Sequence, residues 1–188
     1  NFLTALTRLA GRNRRRYGGY LIHISMMLMA IGILGIELFQ TETQGTISKG
    51  QSLQLDGYTI QYNDVASWDD MGAGVNYTRA VVDVSKDGEY LGQLYPRIDF
   101  YYDSQQPMTI PGLRSTLQDD LYILLVDWQP VSAVGATFKI YHNPLVNWLW
   151  VGSLVFILGM LFAAWPDKDP SLRPVRAREH VPQTSAAD

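Results

Sequence analysis

The sequence predicts a membrane protein in which two transmembrane helices flank an outer all-β domain, either a sandwich or a small open barrel. Three observations carry this reading. Residues 17–36 (YGGYLIHISMMLMAIGILGI) and 145–165 (LVNWLWVGSLVFILGMLFAAW) are uncharged runs of twenty and twenty-one residues. At the rise of an α-helix each covers roughly 30 Å, enough to cross a bilayer core. Between them, short apolar stretches alternate with Gly- and Asp-containing turns, the mark of a β-rich segment. The third observation is charge: residues 40–143 carry six Lys or Arg against thirteen Asp or Glu, whereas basic residues cluster outside the two runs.

In order, residues 1–16 read as a basic cytoplasmic segment. Arg8, Arg12, Arg14, Arg15 and Arg16 precede the first run, and Lys168, Arg173, Arg176 and Arg178 follow the second. The positive-inside rule therefore puts both termini in the cytoplasm and the middle outside, which in a bacterium is the periplasm. The chain begins with Asn, as a fragment or processed chain does. Residues 1–10 have the mixed character of a short amphipathic helix. The first span, 17–38, is too long and too far from the start for a signal peptide. Tyr17, Tyr20, Trp148, Trp150 and Trp165 stand where aromatic belts are expected.

The outer domain, 39–143, holds six or seven strands. Residues 52–55 and 58–65 flank Asp56-Gly57, and residues 77–85 and 90–95 flank Lys86-Asp87-Gly88-Glu89, each pair reading as a hairpin. Residues 98–102 continue past Pro96, and 121–128 and 135–142 are further strands. Residues 103–120, with Pro107, Pro111 and Gly112, read as a long connection, with a helical turn over 113–119. The pairs Asp69-Asp70 and Asp119-Asp120 read as solvated or capping turn residues. Pro144 opens the second span, 144–165, since a helix's first turn has no use for the missing N–H. Residues 166–188 are polar and Pro-bearing, a disordered cytoplasmic tail.

No phosphate-binding loop, catalytic triad or metal-ligand spacing appears, and the absence of Cys removes disulfides and thiolate sites. With a net charge of −3 no nucleic-acid partner is expected. The one ionisable residue inside the first run is His23. On helical spacing it shares a face with Gly19, Tyr20, Met26, Met27 and Ala30. Gly19 removes bulk beside the imidazole, and the methionines suit a flat apolar ligand. A porphyrin with its iron on His23 fits such a face, and so does a structural histidine bonded to a neighbouring helix. Arg16 lies seven residues away, about 10 Å along the axis, within reach of a haem propionate. His142 is a histidine at the outer interface, read as structural.

Three stretches carry a family resemblance: residues 15–33 (RRYGGYLIHISMMLMAIGI), 108–128 (MTIPGLRSTLQDDLYILLVDW) and 136–166 (ATFKIYHNPLVNWLWVGSLVFILGMLFAAWP). They resemble, in collinear order, the C-terminal portion of the CcmF family, the haem lyase subunit of cytochrome c-type biogenesis. The resemblance implies a multi-pass protein of the bacterial inner membrane that attaches haem to apocytochrome c at the periplasmic face. It also implies a membrane b-type haem that reduces the incoming haem and is held between two helix histidines. His23 matches one of these axial ligands; the other lies upstream of this chain, so the chain alone is expected to be inactive and to bind haem poorly. The family's tryptophan-rich outer motif and outer histidine pair are absent, and SWDD at 67–70 is not that motif. The implied partners are the rest of the haem lyase, the haem chaperone CcmE, CcmH and CcmI, apocytochrome c and the lipid bilayer. The β domain then either docks partners, through Phe100, Tyr101, Tyr102 and Trp128 if exposed, or caps the membrane site. A competing reading is a membrane-anchored periplasmic β domain acting as an assembly scaffold with no redox centre.

Overall fold

The computed structural model describes residues 13–128 and 135–165. The expectations for 1–12 and for the tail 166–188 lie outside these residues. The chain opens with helix α1 (Arg14–Phe39) and closes with helix α2 (Asn147–Ala164), both long and apolar enough to cross a membrane. Leu, Ile and Met make up much of α1, and Leu, Val, Phe and Trp much of α2, and little of that apolar surface is covered by the chain itself. An apolar helix left with most of its surface exposed has to find lipid or other helices.

Ten strands lie between the helices: β1 (Thr41–Ile47), β2 (Ser52–Leu55), β3 (Tyr58–Asp70), β4 (Val75–Lys86), β5 (Glu89–Leu94), β6 (Arg97–Tyr101), β7 (Gln106–Ile110), β8 (Gly112–Ser115), β9 (Asp119–Trp128) and β10 (Ala136–Pro144). They form two antiparallel sheets. One has the order β1-β10-β9-β8; the other runs β2-β3-β4-β6-β7, with β5 also paired to β4. Alternate residues of the facing strands meet in one core: Tyr58, Ile60 and Tyr62 of β3, Ala80, Val82 and Val84 of β4, Leu121, Ile123 and Leu125 of β9, and Phe138 and Ile140 of β10. The period of two along each strand is what lets both sheets bury one face. Phe138 is fully buried, and its ring lies 5.3 Å from that of Tyr62 across the sheets. The domain is a β-sandwich.

Both anticipated hairpin turns are present. Asp56 and Gly57 have φ of 47° and 78°, and Asp87 and Gly88 have 51° and 87°. Two consecutive positive φ values match the twist of antiparallel strands, which is why Asp-Gly sits there.

Three strands were not anticipated. β1 (TETQGTI) is polar and carries a glycine, and β7 (QPMTI) and β8 (GLRS) occupy the segment expected to be a loop with a helical turn. All three lie at sheet edges, where Pro107 needs no ladder donor and short polar segments pair on one side only. Pro144 also differs from expectation. It ends β10, opposite Asp119, and does not open α2. Leu145 follows with φ of 62°, and its N–H bonds the carbonyl of Gln118 at 2.8 Å. The chain thus reverses sharply between strand and helix, and α2 starts at Asn147.

Candidate functional site

The two helices pack through small residues. On α1 the buried positions are Gly18, Ser25, Gly32 and Gly35; on α2 they are Gly152 and Gly159. Gly18, Ser25 and Gly32 are seven apart, as are Gly152 and Gly159, so each set forms a straight seam. A Cβ at Gly32 would come within 2.5 Å of the Leu149 backbone nitrogen, and one at Gly152 within 2.8 Å of the Ser25 carbonyl oxygen. Backbones in such contact leave no room for larger side chains, and close packing of this kind is what holds helices together in lipid.

That seam decides where His23 points. Two residues from Ser25, it lies about 200° around the helix, on the side facing away from α2. Its Nδ1 donates to the carbonyl oxygen of Gly19 at 2.7 Å. A carbonyl only accepts, so in the neutral ring the proton sits on Nδ1 and Nε2 keeps its lone pair. The backbone carbonyl thereby fixes both tautomer and ring orientation, as the outer partner of a metal-binding histidine does. Tyr20, Met26 and Met27 are 49%, 54% and 68% exposed around it. A Cβ at Gly19 would meet nothing within 4 Å. Arg16 Nε donates to the Tyr20 hydroxyl at 2.8 Å, which leaves four guanidinium N–H groups outside that bond.

These residues fit a haem. One imidazole nitrogen is oriented and available, the space over Gly19 is open, and polarisable apolar side chains flank it. A cationic residue stands about two turns away on the helix. On this face His23 is the one imidazole among the described residues of α1.

A second polar cluster joins the sandwich to the helices. Asp119, side chain 9% exposed, is at its centre. Its Oδ2 accepts from Lys86 Nζ at 2.8 Å, Tyr58 OH at 3.0 Å and His142 Nε2 at 3.1 Å; its Oδ1 accepts from Thr116 Oγ1 at 2.9 Å. His142 Nδ1 lies 2.9 Å from Asp56 Oδ2, which also accepts from the Thr41 hydroxyl. Burial pushes the Asp119 carboxyl up, but the hydrogen bonds from Lys86, Thr116, His142 and Tyr58 outweigh it and hold it well below the usual carboxylate range. Hydrogen bonds from Thr41 and His142 lower Asp56 as well. Asp120, 4% exposed, takes a hydrogen bond from Ser115 Oγ at 2.5 Å and from Asn147 Nδ2 at 2.6 Å. Asn147, at the start of α2, also bonds the Thr116 carbonyl. Just past the end of α1, Gln40 Nε2 donates to Asn143 Oδ1 at 2.6 Å.

Asp119 and Asp120 are therefore not solvated turn residues. They begin β9 and tie β8, β9, β10 and α2 into one joint. A run of two aspartates gives no sign of burial; only their partners, drawn from 33 and 61 positions away, make it tolerable. Asp70 does cap a turn, accepting from the Gly72 and Ala73 amides. The small-residue seam was legible as a seven-residue repeat but escapes a search for charged or ligating groups. Of the aromatics named for docking, Tyr101 and Tyr102 are each 39% exposed, Phe100 is half-buried, and the Trp128 side chain lies outside the described residues.

A β-sandwich on a close-packed pair of apolar helices, each long enough to cross a membrane, is the architecture that the comparisons with known proteins match. The family model for the CcmF C-terminal β-sandwich matches residues 38–144, more than half of the chain, and the chain belongs to that family. It is 28% identical over 149 residues to the cytochrome c-type biogenesis protein CcmF of Haemophilus influenzae, covering 79% of this chain and 22% of that protein. It is 28% identical over 180 residues to the cytochrome c-type biogenesis protein CycK of Rhizobium meliloti, covering 93% and 25%. A solved structure titled cytochrome c haem lyase CcmF superposes with a TM-score of 0.71 at 20% identity, covering 83% of this chain and 26% of that one. The chain spans about a quarter of the length of these relatives.

Proposed function

We propose that the chain is the C-terminal part of a haem lyase that attaches haem to apocytochrome c at the periplasmic face of the bacterial inner membrane. In this reading α1 and α2 cross the bilayer, both termini are cytoplasmic and the sandwich is periplasmic. His23 would hold a b-type haem through its Nε2, together with a helix outside these 188 residues. The family match over residues 38–144 carries this reading, and the His23–Gly19 hydrogen bond on the helix face left open by α2 supports the ligand role.

When bound, such a haem supplies one-electron chemistry for reducing the iron of the incoming haem. The chain's own part is positional. Gly19 O holds the proton on Nδ1 and so presents Nε2. Tyr20, Met26 and Met27 exclude water from the ligand's flank, and Arg16, oriented by Tyr20, offers its remaining donors to a carboxylate such as a propionate. The polar joint around Asp119 and Asn147 holds the sandwich in fixed relation to the helices. In this reading the sandwich receives the haem chaperone CcmE, the CcmH and CcmI components and apocytochrome c.

The test is the full haem lyase carrying His23→Ala, purified and assayed by a pyridine haemochrome spectrum. The expected result is loss of the b-type haem; full haem content overturns the ligand role and leaves the sandwich as a scaffold without a redox centre. Arg16→Ala is expected to shift the redox potential, and an unchanged potential removes Arg16 from the site.

A further inference from the structure

The outer face of the β3-β4-β6-β7 sheet carries an arginine held ready for an acid it does not have. Arg79 is exposed on β4, with its guanidinium carbon 5.3 Å from the centre of the Trp68 ring and 5.6 Å from that of Tyr95. Trp68 and Tyr95 are themselves 41% and 48% exposed. Among the described residues no carboxylate lies within ion-pair distance of Arg79. Its neighbour Arg97, directly opposite on β6, is different: its Nε is 3.2 Å from the buried carboxylate of Asp99, and its guanidinium lies over Tyr77. One of two adjacent arginines has a carboxylate beside it, at ion-pair distance without a hydrogen bond, and the other has none. The contrast is sharper because the segment between the helices has thirteen acids and only six bases.

A guanidinium flanked by two rings keeps its in-plane N–H groups for a bidentate acceptor. Rigid Trp and Tyr walls around an Arg are the composition of an interface anchor. The location adds a constraint. The register pairs Tyr77 with Asp99 and Asp99 with Met108, so the patch lies on the far half of β4, toward the hairpin end at Asp70 and Val75. The helices join the sandwich at the opposite end of β3 and β4, beside Tyr58 and Lys86. The patch thus faces away from the helices and from any lipid around them.

We infer that this face is a docking site for an acidic polypeptide segment, with Arg79 taking a carboxylate of the partner and Trp68, Tyr95 and Met108 covering the adjoining apolar side chains. The inference concerns the sandwich alone, and its failure leaves the His23 reading untouched.

The test uses the full chain in detergent and a fluorescein-labelled peptide of alternating Glu and Tyr, with the Gln-for-Glu peptide as its neutral counterpart. The Glu peptide is expected to bind, and the Gln peptide to bind at least about tenfold more weakly. Arg79→Gln is expected to cause the same loss, and Arg79→Lys not to restore binding, because an ammonium neither stacks nor forks. Trp68→Leu is expected to give a partial loss. Lys139→Gln, on the other sheet and paired with Glu42 at 3.1 Å, is expected to leave binding unchanged. A thermal melt of each variant confirms folding; Arg79 is exposed, so its replacement leaves the core intact. No binding of the Glu peptide, equal binding by Arg79→Gln, or equal binding of the Gln peptide overturns the inference. Displacement of the peptide by phosphatidylglycerol vesicles that bind through Arg79 assigns the site to lipid and overturns it equally.

Discussion

The Nδ1 of His23 donates to the carbonyl of Gly19 at 2.7 Å, one helical turn back, while a Cβ placed on Gly19 touches nothing else in the chain. Gly19 therefore anchors the histidine ring through its carbonyl and takes no part in the packing of α1 on α2. Gly18, its neighbour, does the reverse: a Cβ there would lie 2.6 Å from that of Ala163.

Gly19→Val should separate these roles. The helix pair is expected to form as in the parent, since the added methyls point into open space. Haem content of the full haem lyase is expected to fall because the side chain occupies the volume beside the imidazole. Absorbance at the haem Soret band against protein concentration measures it; unchanged haem content sinks the assignment of this face.

Gly32→Val should act in the opposite way. Its Cβ would press on the Leu149 backbone at 2.5 Å, where no side chain can move aside. The two helices are expected to separate, lowering the thermal midpoint in detergent and opening the inter-helix segment to protease. A cost of about 1–3 kcal/mol is typical of overpacking a tight contact.

Asp119→Ala should be among the most damaging substitutions in the sandwich. It strips Lys86, Tyr58 and His142 of their shared acceptor and leaves a half-buried ammonium without its partner. Leaving such groups without their acceptor costs about 1–3 kcal/mol. Chemical denaturation of the chain measures the loss.

The same cluster sets a pH dependence. Asp119 and Asp56 are both held below their ordinary values in the folded chain, so the unfolded chain binds protons more readily than the folded one. Their contribution is complete above the ordinary aspartate value, about pH 4, and is lost as the pH falls below it. Lys86 is raised, so its contribution is present below the ordinary lysine value and is lost as pH climbs through its raised one. Stability of the wild type is expected to drop on acidification below about pH 4. In Asp119→Asn the drop is expected to be smaller; an identical profile would falsify the central role of Asp119.

Asn147→Ala tests the joint itself. Asp120 loses a 2.6 Å donor and the Thr116 carbonyl loses its partner, in a place where water has little access. Leaving such groups unpaired costs about 1–3 kcal/mol. Limited proteolysis is expected to cut more readily around Leu145, the left-handed residue between β10 and α2.

The sequence by itself determined the two apolar helices, the acidic segment between them, both Asp-Gly hairpins and most of the strands. Each is a local matter: twenty uncharged residues, a period of two, or a dipeptide that tolerates positive φ carries its own physical reason. His23 was legible for the same cause, since one ionisable group in an apolar run stands out without any partner being known. Tertiary structure alone decided the rest. The edge strands β1, β7 and β8 exist because a neighbouring strand satisfies their backbones, which no short polar segment announces. Asp119 and Asp120 are buried because Lys86, Tyr58, His142 and Asn147 converge on them from distant parts of the chain. And the seam of Gly18, Ser25 and Gly32 against Gly152 and Gly159 decided which face of α1 stays open, turning His23 outward on the side opposite α2.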